Sequence, residues 1–413
     1  VSARGGRTGW TRRQVVVSVG AAGISGIAGM PMARARSPWT VQRLPLPTPW
    51  ARLAAAPDGG WLGIDRGGRA WRVPPGAAPT PLGEGLDPQG PLVASHGRVA
   101  ARRRDGRLWV GGGAPDGGVS DQPLAPAAGL LVLPLAVIGV ADGGLSARLV
   151  RLEPTGDRRW GVVATSREPV LPDARPIQVD LEQRGDGGHI VVLAGPDRKR
   201  VPHAVLGDDV EATRVLWLER HGLDPLRSLD LPAPFVLEDI APRLWRAADG
   251  RPGLLSVRSG PDGGGLVLIE ADPADRRALR IAAEGPPIGT RMRWLSPSTD
   301  GRRIVAVHTP HIGGVLHVYR RSGGRLEPQR RADGVSNHRL GARELDVSAW
   351  LGDRLLLPSQ DGGTLLVFGG ADLRRDGDIP LPGRPLQMAV QHGAIAAACL
   401  LADGSVVRIV PPS

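Results

Sequence analysis

One local device constrains this chain more than any other: a tight Gly-containing turn, usually Asp-Gly, set between two short β-type runs. It recurs at Asp58-Gly59, Gly97, Asp142-Gly143, Gly187, Asp249-Gly250, Asp300-Gly301, Gly352-Asp353 and Gly393, at intervals of 38 to 63 residues. Turns of this kind need a backbone conformation that glycine adopts without steric cost, so they mark hairpins. After most of them come an apolar run, a second Gly-rich turn and a third run. Trp61–Asp65, Gly67-Gly68 and Ala70–Val73 form one such series, and Ala394–Leu401, Asp403-Gly404 and Val406–Val410 another. The fullest example is Arg291–Gly352, where turns at Asp300-Gly301, Gly313-Gly314 and Gly323-Gly324 separate four runs. No stretch of helical length carries capped amphipathic periodicity, so the expected fold class is all-β.

The runs are apolar on both faces, as in Ile190–Leu193, Leu254–Val257, Ile304–Val307 and Leu355–Leu357. An open sheet with one wet face alternates apolar and polar residues, whereas strands covered on both sides do not. Sheets stacked face to face around an axis meet that condition, and a four-stranded unit of about 40–50 residues matches the turn spacing. The chain therefore resembles a single β-propeller of four-stranded antiparallel blades. Counting the turns gives eight blades. Seven is the alternative, if the faint unit Gly129–Val170 merges with a neighbour. Pro385–Pro411 supplies three runs, so Trp39–Leu46 is expected to add the fourth and close the ring from the N-terminal side, removing two exposed sheet edges. The Gly-His and Trp-Asp signature of WD40 repeats is absent, as are the repeated calcium loop of integrin-type propellers and the Trp-docking motif of quinoprotein propellers.

Residues 1–35 read as an export signal and residues 36–413 as the propeller domain. Thr11-Arg12-Arg13-Gln14 followed by Val15-Val16-Val17 resembles the twin-arginine export motif. A Gly-diluted apolar stretch follows, and Ala33-Arg34-Ala35 places small residues where a signal peptidase reads. An uncleaved N-terminal anchor is the alternative, though this much glycine makes a poor span. The resemblance implies a periplasmic or secreted protein exported in the folded state.

Formal charge is +11, carried almost wholly by arginine, with Lys199 the one lysine. The signal holds five arginines and no acid, so its removal leaves an excess of six positive charges. Aromatic residues are 3% of the chain, and Arg102-Arg103-Arg104 has no stacking aromatics around it. A nucleic-acid partner is not expected. Cys399 is the single cysteine, which excludes an intrachain disulfide and a cysteine-based metal cluster; in its apolar run it reads as core filler.

If each unit is an antiparallel meander, the turns between second and third strands emerge at the same end as the links between units. Those connections vary in length, whereas the first hairpins are uniformly tight, so function is expected on the variable face. His308 and His311 sit where the second strand of the 291–340 unit ends. Asn337, His338 and Arg339 lie in the link leaving that unit, and Glu344 and Asp346 open the next inner strand. These residues, less Glu344, are the candidate ligand-binding set. His308, His311 and His338 are also candidate ligands for a divalent metal, the one cofactor the residues leave open. His317 is expected to lie apart, in the sheet. The competing reading is that the histidines cap turns and satisfy buried backbone groups. A second candidate is the long loop Gly195–Thr213, with Asp197, Lys199, Arg200, His203, Asp208 and Asp209, read as a solvated flap or lid.

No nucleophile elbow, phosphate-cradling loop or dinucleotide fingerprint is present. The sequence thus points to an exported, monomeric binding propeller with a protein, glycan or small-molecule ligand on its variable face. It touches a membrane only through its signal. An exported hydrolase or lyase using the histidines is the alternative.

Overall fold

A computed structural model describes residues 39–112, 117–185, 187–391, 393 and 395–412. The export motif at Arg12 and Arg13 and the cleavage residues Ala33 and Ala35 lie outside the described residues. Strands dominate, and among the described residues the helical turns are two short 3-10 pieces, Gly144–Ser146 and Ala204–Leu206. No helix there is long and apolar enough to cross a membrane.

The strands form successive four-stranded antiparallel meanders over residues 50–83, 92–123, 131–169, 177–230, 243–284, 295–333 and 349–380. A last sheet combines Pro385–Val390, Ala397–Leu401 and Val406–Val410 with Thr40–Arg43 from the other end of the chain. Thr40 faces Val410 and Arg43 faces Val407 in an antiparallel register. The Leu44 N–H extends the pairing to Val406 O at 2.8 Å. Outer strands of neighbouring meanders touch at their margins, as where Arg159 runs parallel to Val119 and Glu284 to Arg325.

Burial follows strand position. Every residue of Trp61–Asp65 and of Val137–Ala141 is buried, whereas the outer strand Arg374–Pro380 is largely exposed. The apolar core lies between adjacent sheets: one cluster packs Ile190, Leu193, Leu216, Leu254, Leu268, Leu295 and Ile304 from successive meanders. Inner strands covered on both faces explain why the runs lack clean alternation. Cys399 is buried in this setting, and burial pushes its thiol up to about 12, consistent with a packing role.

The expected first hairpins fall between the first and second strands of their meanders, with one exception. Asp142-Gly143 joins the second strand, Val137–Ala141, to the third, Arg148–Gly156. The first hairpin of that unit turns at Pro134-Leu135, closed by Leu133 N–H to Ala136 O at 2.8 Å, after a first strand of only two residues, Leu131–Val132. A short strand and a glycine-free turn leave no local mark, so the next Asp-Gly was read in its place. The span 131–169 nonetheless has four strands of its own.

Candidate functional site

The hairpin at Asp300-Gly301 launches the strand Ile304–His308, whose apolar residues pack on both sides and carry the chain to one end of the sheet. Thr309 then bends it with φ of 45°, its N–H donating to Trp294 O at 3.0 Å. Gly314 approaches the next link so closely that a Cβ there would overlap Val335 O, and only glycine fits. The link 334–348 is held in turn by Val347 N–H to Asn337 O at 2.7 Å and by Asn337 Nδ2 donating to Asp346 Oδ1 at 2.9 Å.

These constraints bring His311 and His338 together, with Nε2 of His311 2.8 Å from Nδ1 of His338. His338 Nε2 lies 2.8 Å from Ala342 O, which can only accept, so that nitrogen carries the proton. Burial pushes both histidines down to about 4, aided by His203 beside His311 and by His311 beside His338. At neutral pH both rings are therefore uncharged, and His311 Nε2–H donates to His338 Nδ1. Trp294 stacks on His311 with ring centroids 6.4 Å apart and lies 4.8 Å from His338.

His308 departs from this pair, against expectation. It stacks on His317 with centroids 3.9 Å apart, and its Nε2 shares a 2.6 Å hydrogen bond with the Tyr319 hydroxyl. His308 is the last residue of its strand and not part of the loop: it faces Val315 while His317 faces Ala306, which makes His308 and His317 diagonal neighbours. On one face of an antiparallel pair such diagonal neighbours touch. Burial, then the neighbouring His317, pushes His308 down to about 4. The three-imidazole metal set does not assemble. Among the described residues no group of three or more His, Cys, Asp or Glu side chains is placed to hold a metal ion.

Of the other candidates, Asn337 is buried and bound to Asp346, so both hold the link in shape. Arg339 is exposed and lines a large cavity. Glu344 also lines it, with Oε2 2.5 Å from Gln387 Nε2 and 3.7 Å from Arg52 Nη1.

The loop Gly195–Thr213 is no solvated flap. Val201, Val205, Leu206 and Val210 are buried, and Val205 O accepts from Gly341 N–H at 2.9 Å. Arg343 reaches back from the 334–348 link to Asp208 at 2.9 Å and Asp173 at 3.3 Å. The loop thus ties the 177–230 meander to a link two units further on. Its His203 contacts Glu238, whose backbone carbonyl accepts from Trp294 Nε1 at 3.0 Å. Beneath lies an acidic group that sequence reasoning missed. Burial, then Asp208, pushes Asp173 up to about 7. Burial, then Glu238 and Asp173, pushes Glu211 well above the usual carboxyl range, and neither of its buried oxygens has a hydrogen-bond partner. The available signal was acids inside apolar runs, Val210-Glu211-Ala212 and Leu237-Glu238-Asp239-Ile240.

Beside the 339–344 part of the 334–348 link a cavity of about 1320 Å³ opens. Its wall comes from the links 87–93, 126–130 and 339–344, from Arg175, from the turns bearing Arg66, Arg104 and Ala402, and from adjoining strand ends such as Trp50–Leu53. Apart from the strand ends, these are inter-unit links or second-to-third-strand turns, so the cavity belongs to the variable face.

No family model matches the chain, and no curated protein matches it in sequence. Solved structures do match in shape. BamB from Moraxella catarrhalis is 14% identical with a TM-score of 0.53, over 90% of this chain and 98% of that one. Saccharomyces cerevisiae Sqt1 is 11% identical with a TM-score of 0.57, again over 90% and 98%. The Dos1 propeller is 11% identical with a TM-score of 0.58, over 91% of this chain and 94% of its own. The fold is a β-propeller. Identities this low carry no further inference, since one fold hosts many functions.

Proposed function

We propose that this propeller is a binding protein, exported through its twin-arginine-type signal, whose ligand enters the cavity on the variable face. In this reading the meanders are eight blades of one ring, closed where Thr40–Arg43 pairs with Val406–Val410. The observation that carries it is the cavity itself: a volume of about 1320 Å³ whose wall is drawn from links leading into several different blades. Large concave sites that gather residues from many elements are the usual place for recognition. Binding ranks ahead of hydrolysis because His311 and His338 spend their hydrogen bonds on each other and on Ala342 O. A protein partner is favoured, because Ile312 and Leu340, 61% and 64% exposed, flank the His311–His338 contact on the same face.

Photocrosslinking tests the face. A benzophenone side chain at Leu340 should give discrete adducts in the periplasm. The same group at Leu135, 70% exposed in a first hairpin and so at the opposite end, should give none. Adducts at Leu135 alone, or equal adducts at both positions, would refute the assignment.

A further inference from the structure

The wall of the cavity is rich in arginine and poor in acid. Many arginines elsewhere sit on a carboxylate: Arg69 on Glu84, Arg107 on Asp105, Arg251 on Asp249, Arg330 on Asp333 and Arg375 on Asp378. Six arginines line the cavity: Arg52, Arg66, Arg104, Arg175, Arg339 and Arg343. Two acids line it with them, and Asp87 is already taken by Arg102 at 2.6 Å. Arg104 donates to the carbonyls of Leu86 and Gly67 at 3.3 and 3.0 Å, Arg66 to Ala402 O at 3.3 Å, and Arg175 to Arg343 O. Among the described residues Arg339 has no side-chain partner, and none of these four meets a carboxylate. Arg52 is largely buried, and burial with the nearby Arg175 holds its pKa below the usual guanidinium value, against the pull of Glu344.

The guanidiniums stand on separate parts of the wall. Arg66 and Arg104 come from turns of the first two blades. Arg175, Arg339 and Arg343 come from links that enter much later ones. Held by backbone carbonyls, the first two keep positive charge in place without neutralising it. A guanidinium fork matches a carboxylate in plane and spacing, so the complement of this wall is a ligand with several separated carboxylates. The cavity exceeds the roughly 300–1,000 Å³ that holds a small molecule, which favours a chain over a compact anion. Among the described residues Trp50 is the one aromatic in the wall, and it is buried, which leaves no ring there for a sugar or base to stack on.

We infer that the cavity binds an acidic peptide segment of a partner protein, with Arg66, Arg104, Arg175 and Arg339 as its carboxylate contacts. This rests on the loop-face reading above and gives that face a ligand chemistry.

The test is fluorescence anisotropy with a fluorescein-labelled Glu-Ser repeat peptide and its Gln-Ser counterpart, against the full chain and two charge-matched variants. R66A/R339A removes two positive charges from the cavity, at exposed side chains that contribute one hydrogen bond between them. R276A/R277A removes two from exposed positions in a third-to-fourth-strand turn at the opposite end. The Glu-Ser peptide should bind, weaken as salt rises, and lose about tenfold in affinity in R66A/R339A while changing less than about twofold in R276A/R277A. Equal losses in both variants would reduce the effect to net charge and overturn the site. Equal binding of the Gln-Ser peptide would overturn the acidic class. Tripolyphosphate binding that depends on Arg66 and Arg339, with no peptide binding, would replace the peptide by a compact polyanion. If Leu340 crosslinks persist while the Glu-Ser peptide fails to bind, the loop face stands and the acidic ligand falls.

Discussion

Glu211→Gln should stabilise this protein at neutral and alkaline pH and leave it nearly unchanged in mild acid. Glu211 is 1% exposed, its two oxygens have no hydrogen-bond partner, and Glu238, Asp173, Asp208 and Asp239 surround it. Its folded pKa therefore lies well above the ordinary 4.5. A carboxyl raised on folding binds more protons in the native state than in the unfolded one between those two values. Stability from this group is then present below 4.5 and lost as pH climbs towards the folded value, by at most about 1.4 kcal/mol per pH unit. Asp173, pushed up to about 7, acts in the same direction. Gln cannot ionise, so it carries none of this pH-dependent cost. The gain at pH 8 should be about 1–3 kcal/mol, the cost of one unsatisfied buried polar group, with little difference at pH 4.5. Urea denaturation at both pH values measures it. A variant less stable than the parent at pH 8, or shifted equally at both, would show that Glu211 is satisfied in the folded protein and refute the reasoning.

Removing residues 39–46 should uncover the edge of Val406–Val410, lower the melting temperature and promote association, read by calorimetry and light scattering; an unchanged, monodisperse protein would contradict the pairing. His338→Ala should cost about 1–3 kcal/mol in urea denaturation, because it strands His311 Nε2–H and Ala342 O, and a change within about 0.5 kcal/mol would mark the contact as superficial. Lysine at both Arg12 and Arg13 should hold the precursor in the cytoplasm on fractionation, and normal export of that double variant would sink the twin-arginine reading.

The fold class was legible because its marks are local. Turns such as Asp58-Gly59 and Asp300-Gly301 take positive φ at their glycines, 89° in each, whatever the rest of the chain does. Runs such as Ile190–Leu193 declare burial on both faces by composition alone. Where the local mark was missing, at Pro134-Leu135, the reading slipped by one hairpin. Strand parity was also enough to put His311 and His338 at the same end, since an antiparallel meander fixes which connections emerge together.

What the residues alone determined was therefore direction: which runs are strands, where they turn, and at which end each connection leaves. Partnership was decided by packing. His308 joined His317 because both lie within paired strands, one diagonal step apart, whereas His311 sits in the 309–314 connection, which is shaped by Thr309 bending under Trp294 and by Gly314 lying against Val335. Val205, Leu206 and Val210 left solvent by joining the core cluster that also holds Leu237, Ile240 and Leu345, and Val205 O accepts from Gly341 N–H, more than a hundred residues away. Glu211 and the cavity arginines take their character from the same cause. Burial and unpaired charge depend on what stands opposite a side chain: for Glu211 the acids of adjoining segments, Asp173 and Glu238, and for the cavity arginines a wall gathered from links spread along the chain.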